Sequence, residues 1–171
     1  MKKENWNESN IPDQSGKIFI VTGPTSGLGE ETTRVLSRKN ATVIMAARNI
    51  KKAESVANEI LAENKNAKID IEELDLTSLE SIKNFSHQIF KKYKNLDCLI
   101  NNAGIMACPY SKTKDGFEIQ MGTNHLGHFA LTGQLISLIK KTSNARVINV
   151  SSIAHLSGNC LLYTSPSPRD L

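Results

Sequence analysis

Three glycines, Gly23, Gly27 and Gly29, stand directly behind the run Ile18-Phe19-Ile20-Val21-Thr22. Such an apolar run reads as a strand buried on both faces, and glycines behind it read as a turn that feeds a helix. Glycine lets the backbone come close to a pyrophosphate, whose charge is favoured by the free N–H groups and positive dipole end of that helix. Thr25, Ser26 and Leu28 complete the turn. A mononucleotide P-loop needs Lys-Ser or Lys-Thr after its last glycine, but Glu30 and Glu31 stand there, so that reading is excluded. The standard dinucleotide fingerprint has one residue between its first two glycines and two before the third. Here the gaps are three and then one.

The rest of the chain must position this turn. Leu28, Val35 and Leu36 suit one face of a helix reaching about Lys39, with Asn40 as a left-handed cap. Thr42 to Ala46 is a second buried strand, after which Arg48-Asn49 leads into a helix carrying Ala53, Val56, Ala57, Ile60 and Leu61. Ile69 and Ile71 alternate with Asp70 and Glu72, which predicts a third strand at a sheet edge. Asp75-Leu76 ends it, and Thr77-x-x-Glu80 reads as a capping box for a helix with the face Leu79, Ile82, Phe85, Ile89 and Tyr93. Cys98-Leu99-Ile100 is a fourth strand running into Asn101-Asn102-Ala103-Gly104. A long helix is expected from about Gly116 to Thr142, and Val147 to Val150 is a fifth strand. This alternation predicts an α/β fold, a doubly wound parallel sheet of Rossmann type in the order 3-2-1-4-5. Ligands of such sheets bind beyond the carboxyl ends of the strands, where this chain places the glycine turn, Arg48, Asp75, Asn101 to Gly104, and Ser151-Ser152.

Composition narrows the partners. With 171 residues, 39% hydrophobic and 22% charged, one globular domain is expected. The net charge of +4 is spread out. Lys91, Lys92 and Lys94 close one helix, and Lys140 and Lys141 another, where they suit the negative dipole end, so no nucleic-acid partner is expected. Cys98, Cys108 and Cys160 are odd in number and lack CxxC spacing, which fits a reducing cytosol better than a disulfide framework. No run approaches the roughly 18 apolar residues of a membrane span. A cytoplasmic protein without a membrane partner is the expectation. His125 and His128 lie three apart with no third ligand evident, so packing or surface roles are expected and no metal. Residues 1–16 read as a polar arm held loosely.

Taken together, TGxxxGxG (from Thr22), DLTS (from Asp75), NNAG (from Asn101), NHLGHF (from Asn124) and INVSS (from Ile148) resemble the short-chain dehydrogenase/reductase family in order and approximate spacing. NHLGHF, with DGFE upstream, is most similar to its retinol-dehydrogenase and WW-domain oxidoreductase branch. The resemblance implies a nicotinamide dinucleotide held by Gly23, Thr25, Ser26, Gly27, Leu28 and Gly29. It puts Asp75 and Leu76 beside the adenine, and Asn102, Ala103 and Gly104 against the cofactor through their backbone. It makes Asn124 the holder of a water in a proton relay and Ser152 the group that orients a substrate carbonyl. Ala46-Ala47-Arg48-Asn49 offers no acid for the ribose hydroxyls, whereas Arg48 suits a 2′-phosphate, so NADP (NADPH) is expected rather than NAD. The substrate is then a small carbonyl or alcohol, and a homo-oligomeric full-length enzyme is compatible with the family.

One part of the pattern is missing. The family protonates the nascent alkoxide with the Tyr of a YxxxK motif, whose Lys lies one helical turn on and lowers the phenol pKa. Tyr93 is followed by Asp97 and Tyr163 by Ser167 at that spacing; Tyr110 has Lys114, but ahead of Ser152. The segment from Cys160 to Asp170, CLLYTSPSPRD, resembles the translation of a transposase adapter used for sequencing libraries. The expected organisation is therefore a polar arm at 1–16, an incomplete NADP-binding domain at 17–159 and a non-native disordered tail at 160–171. An N-terminal fragment of a dehydrogenase, itself inactive, follows. The alternative is a non-catalytic NADP-binding sensor or interaction module.

Overall fold

In the computed structural model, which describes residues 6–153, five parallel strands form one sheet. They are β1 (Ile18–Thr22), β2 (Thr42–Ala47), β3 (Lys68–Glu73), β4 (Cys98–Asn101) and β5 (Arg146–Asn149). Their order is β3-β2-β1-β4-β5, as the alternating pattern predicts. β1 is central because both of its faces are apolar: in register, Ile20 lies between Ile44 and Leu99. Ile20, Ile44 and Leu99 join Phe85, Leu131 and Leu135 from the helices α3 (Leu79–Lys92) and α4 (His128–Lys141). On the opposite face Val21, Val43 and Ile100 pack with Leu36 of α1 (Gly27–Arg38), and Met45 packs with Val56 and Ile60 of α2 (Ile50–Glu63). Burial of these side chains stabilises the sheet by about 1.5–3 kcal/mol for each large residue.

Several local expectations are revised. Leu28 is exposed at the glycine turn, and the buried face of α1 is Gly29, Thr33, Leu36 and Ser37. Asn40 does adopt the left-handed conformation, with φ 66°. The N-cap of α3 is Ser78, one residue after Thr77, and its side chain accepts from Ser81 N–H. Leu79 N–H is taken by Asp115 from a distant loop at 2.8 Å, so this helix is capped partly by tertiary contact. The long helix begins after the Lys112–Glu118 bridge and opens with a π-helical turn at Met121–Gly127 before α4. The described part of the arm is docked: Glu8 pairs with Arg38 at 2.9 Å, Asp13 accepts from Asn40 at 2.7 Å, and Gln14 N–H donates to Lys39 C=O at 2.7 Å. Residues 154–171, including Cys160 and Tyr163, lie outside the described residues, as does the reading of the tail.

Cys98 is buried under α1, and burial pushes its thiol up to about 11, against a small pull from Arg146 and with a push from Asp97. Since the thiolate is the reactive form, a thiol alkylating agent at pH 8 is expected to spare Cys98 and to label half-buried Cys108. Peptide mass mapping of the labelled protein checks this; equal labelling of both would contradict the packing.

Candidate functional site

Beyond the carboxyl ends of β1, β2 and β4 lies a cleft of about 620 Å³. It brings together Gly23, Thr25, Ser26, Leu28, Arg48, Asn49, Asp75, Leu76, Asn102, Ala103 and Gly104. Gly27 and Gly29 support the turn without lining the cleft. Gly23 has φ +63°, and a Cβ on it would lie 2.9 Å from Ala103 Cα, so turn and NNAG segment are in backbone contact. Asn102 locks that contact, its amide donating to Thr22 C=O at 2.9 Å and to Gly23 C=O at 3.3 Å. Ser26 caps α1 through its backbone only, with no side-chain bond, so the first N–H groups of α1 are not consumed by a cap.

The charges around the cleft are unequally committed. Arg34 and Arg38 are tied to glutamates on α1 and α2, while exposed Arg48 makes no ion pair among the described residues. Asp75 is committed: Oδ1 accepts from the Thr77 N–H (3.0 Å) and hydroxyl (2.7 Å), and Oδ2 pairs with Lys114 at 3.1 Å. Burial alone would raise its pKa, but Thr77 and Lys114 together hold the carboxyl below the usual range. That pairing also disposes of Lys114 as a partner for Tyr110, which is exposed. Thr123 Oγ1 is a buried hydroxyl on the cleft wall with no hydrogen-bond partner. An orphaned buried hydroxyl, an open helix N-terminus and a close-approach glycine fit the pyrophosphate of a dinucleotide.

A second hollow of about 650 Å³ adjoins the first across Asn102 to Ile105 and holds Asn124, His125, His128, Ser151 and Ser152. Asn124 and Ser152, each expected to serve catalysis, therefore line the same hollow, with Ser152 exposed. The Asn124 amide is exposed and clamps one peptide: it accepts from Ile105 N–H at 2.9 Å and donates to Ile105 C=O at 2.8 Å. His128 takes a packing role, one of the two expected, and its ring is also hydrogen-bonded at both nitrogens. It is buried between Thr22 Oγ1 and the Asn124 carbonyl oxygen, each 2.9 Å from a ring nitrogen. Its residue type four positions after Asn124 was the one signal available. Thr123 and Lys52, which also line the first cleft, carried none, and Thr22, though it opens the TGxxxGxG pattern, had no role assigned to it.

Burial depresses the His128 pKa below the ordinary value; the Asn124 carbonyl opposes this and the neighbouring His125 adds to it. β1 presents no titratable side chain and β4 only Cys98. The folded ring is neutral where the unfolded ring, with a pKa of about 6.5, still binds a proton. Stability from this group is thus complete above that pH and is lost as pH falls through it towards the folded pKa. Denaturant midpoints between pH 8 and 5 are expected to fall more steeply in the natural protein than in His128→Gln, and parallel curves would refute the assignment.

The parallel order and the glycine-turn cleft at the carboxyl ends of the strands define a dinucleotide-binding doubly wound protein. The chain belongs to the short chain dehydrogenase family, whose model matches residues 17–164. It is 50% identical over 143 residues to retinol dehydrogenase 12 of Mus musculus, covering 84% of this chain and 45% of that protein. With retinol dehydrogenase 13 of Homo sapiens it shares 44% identity over 144 residues, covering 84% of this chain and 44% of that one. The chain thus spans less than half the length of these curated relatives. A crystal structure described as a short chain dehydrogenase from Escherichia coli CFT073 complexed with NADPH matches with TM-score 0.73 and 29% identity, over 85% of this chain and 62% of that one. A protein from Mycobacterium Paratuberculosis matches with TM-score 0.74 and 43% identity, over 88% and 51%. The family is one of oxidoreductases that bind NAD(P). No helix among the described residues is long and apolar enough to cross a membrane, and no three His, Cys, Asp or Glu among them gather as metal ligands.

Proposed function

We propose that this chain is the NADP-binding part of an oxidoreductase that interconverts a small-molecule carbonyl and its alcohol, and that the chain alone does not turn over. The observation that carries the cofactor choice is Arg48, an unpaired cation on the cleft wall just past β2, in a stretch without an acid. A guanidinium there meets a 2′-phosphate with charge-assisted bonds, and the carboxylate on the cleft wall, Asp75, is engaged by Thr77 and Lys114. When bound, the cofactor supplies the hydride. The chain's own residues would seat the pyrophosphate on the glycine turn and α1, cover it with Asn102 to Gly104, and orient the substrate oxygen with Ser152. Asn124 holds the Ile105 peptide at the junction of the two hollows. No Tyr followed four residues later by Lys lies beyond Ser152 in this sequence, so the proton donor of the family is not supplied.

Fluorescence titration of the chain with NADPH and NADH, followed by assays with a carbonyl panel that includes retinal, tests both parts. The expected result is NADPH binding at least about tenfold tighter than NADH, without consumption of NADPH. Equal affinities would overturn the assignment of Arg48. Turnover would overturn the claim that the site lacks its proton donor.

A further inference from the structure

We infer that His128 is a positioning residue of the cofactor site: as a neutral ring accepting at Nε2, it orients the Thr22 hydroxyl so that this oxygen fastens the Asn102-Ala103 backbone against the glycine turn. The inference rests on the nucleotide reading above for its purpose, but its geometry stands on a count of donors and acceptors. A threonine hydroxyl has one hydrogen and two acceptor lone pairs. Asn102 N–H and Ala103 N–H both donate to Thr22 Oγ1, each at 2.9 Å. Backbone amides are donors only, so they fill both lone pairs. The remaining hydrogen has two acceptors in reach, the Ile100 carbonyl at 3.4 Å and His128 Nε2 at 2.9 Å. Distance selects the imidazole.

Nε2 must therefore be unprotonated, and the single ring proton sits on Nδ1, where it donates to the Asn124 carbonyl at 2.9 Å. Thr22 is fully buried and His128 nearly so, so there is little room for water to replace either bond. A continuous path results, from the π-helical turn through His128 and Thr22 to the two peptides that face both hollows. Asn124 lies at its far end and grips Ile105, two residues beyond Ala103. His128 thus ties the candidate catalytic asparagine and the cofactor-facing loop to the same strand, β1. A histidine in this place does what a hydrophobic residue of equal size would not, since the latter leaves the Thr22 hydrogen to a poor bond and its orientation unfixed.

The test uses the whole 171-residue chain with two variants, His128→Leu, which removes the acceptor, and His128→Gln, whose side-chain carbonyl can accept from Thr22. Amide hydrogen exchange of Asn102 and Ala103 reads the positioning directly and needs no nucleotide. His128→Leu is expected to lower protection of both amides by about tenfold or more, and His128→Gln to stay within about threefold of the natural protein. NADPH dissociation constants should follow the same order. Unchanged protection in a folded His128→Leu protein, or equal losses in both folded variants, would overturn the inference. Where the leucine variant does not fold, ring nitrogen shifts of His128 in the natural protein decide, since a proton on Nε2 contradicts the count. Failure of the natural protein to bind NADPH would defeat the proposed function, while the exchange data still settle the positioning role.

Discussion

Replacing Arg48 with alanine is expected to weaken NADPH binding by about ten- to a hundredfold while leaving NADH binding within about threefold. A hydrogen bond to a charged group contributes roughly 1.5–3 kcal/mol, and each 1.4 kcal/mol is a factor of ten. The effect should approach the upper end because no carboxylate is paired with Arg48: Glu72, Glu73 and Asp75 line a groove together with it, yet among the described residues Glu72 pairs with Lys92 and Asp75 with Lys114, and none forms an ion pair with Arg48. Lys52, exposed on the first turn of α2, is the other cation on the cleft wall and sets the residual preference. Arg48→Asp should go further and make NADH the tighter ligand, since a carboxylate accepts from ribose hydroxyls and repels a 2′-phosphate. Isothermal titration with the two reduced nucleotides measures both effects. Parallel losses for NADPH and NADH would mean that Arg48 serves the turn as a whole rather than the extra phosphate.

The parts of this site that could be read before the fold was seen share a physical property: they are local. Continuous apolar runs identify β1, β2 and β4 because a strand covered on both faces tolerates few polar positions, and alternation marks β3 as the edge it occupies. The glycine turn is legible because positive φ at Gly23 and Gly27 leaves a mark in residue type. What could not be read depends on chain segments far apart in sequence. Part of the cap of α3, the acceptor for Leu79 N–H, comes from Asp115, some three dozen residues away. The π-helical turn is pressed against the end of β3's loop, where a Cβ on Gly127 would lie 2.6 Å from the Leu76 carbonyl oxygen. Asn124 shows the same limit from the other side: its type and position single it out, but only the fold shows its amide spent on Ile105. His128 was set aside because its acceptor role is defined by the saturation of a hydroxyl on another strand.

The three glycines of helical segments α1 and α4 should respond to alanine in opposite and graded ways. Gly29→Ala is expected to destabilise the chain by about 3 kcal/mol or more, at the upper end of overpacking. A Cβ there would overlap the Gly23 carbonyl oxygen and crowd Asn102 Nδ2 at 2.5 Å. Neither neighbour can step aside cheaply, because Gly23 N–H is bonded to Ala46 C=O at 3.2 Å and the Asn102 amide holds Thr22 C=O. Against a total stability of roughly 5–15 kcal/mol for a typical domain, such a loss is large, and NADPH binding should vanish with the displaced turn. Gly27→Ala meets open space and has only its φ of +56° to overcome, a cost of about 1–2 kcal/mol. Gly133, exposed on α4 with nothing near its Cβ position and no unusual φ, should gain about 0.5–1 kcal/mol as alanine. Urea midpoints of the three variants give the order directly. If Gly29→Ala unfolded no more readily than Gly27→Ala, the close packing of α1 beneath the glycine turn would be wrong, and with it the geometry assigned to the pyrophosphate.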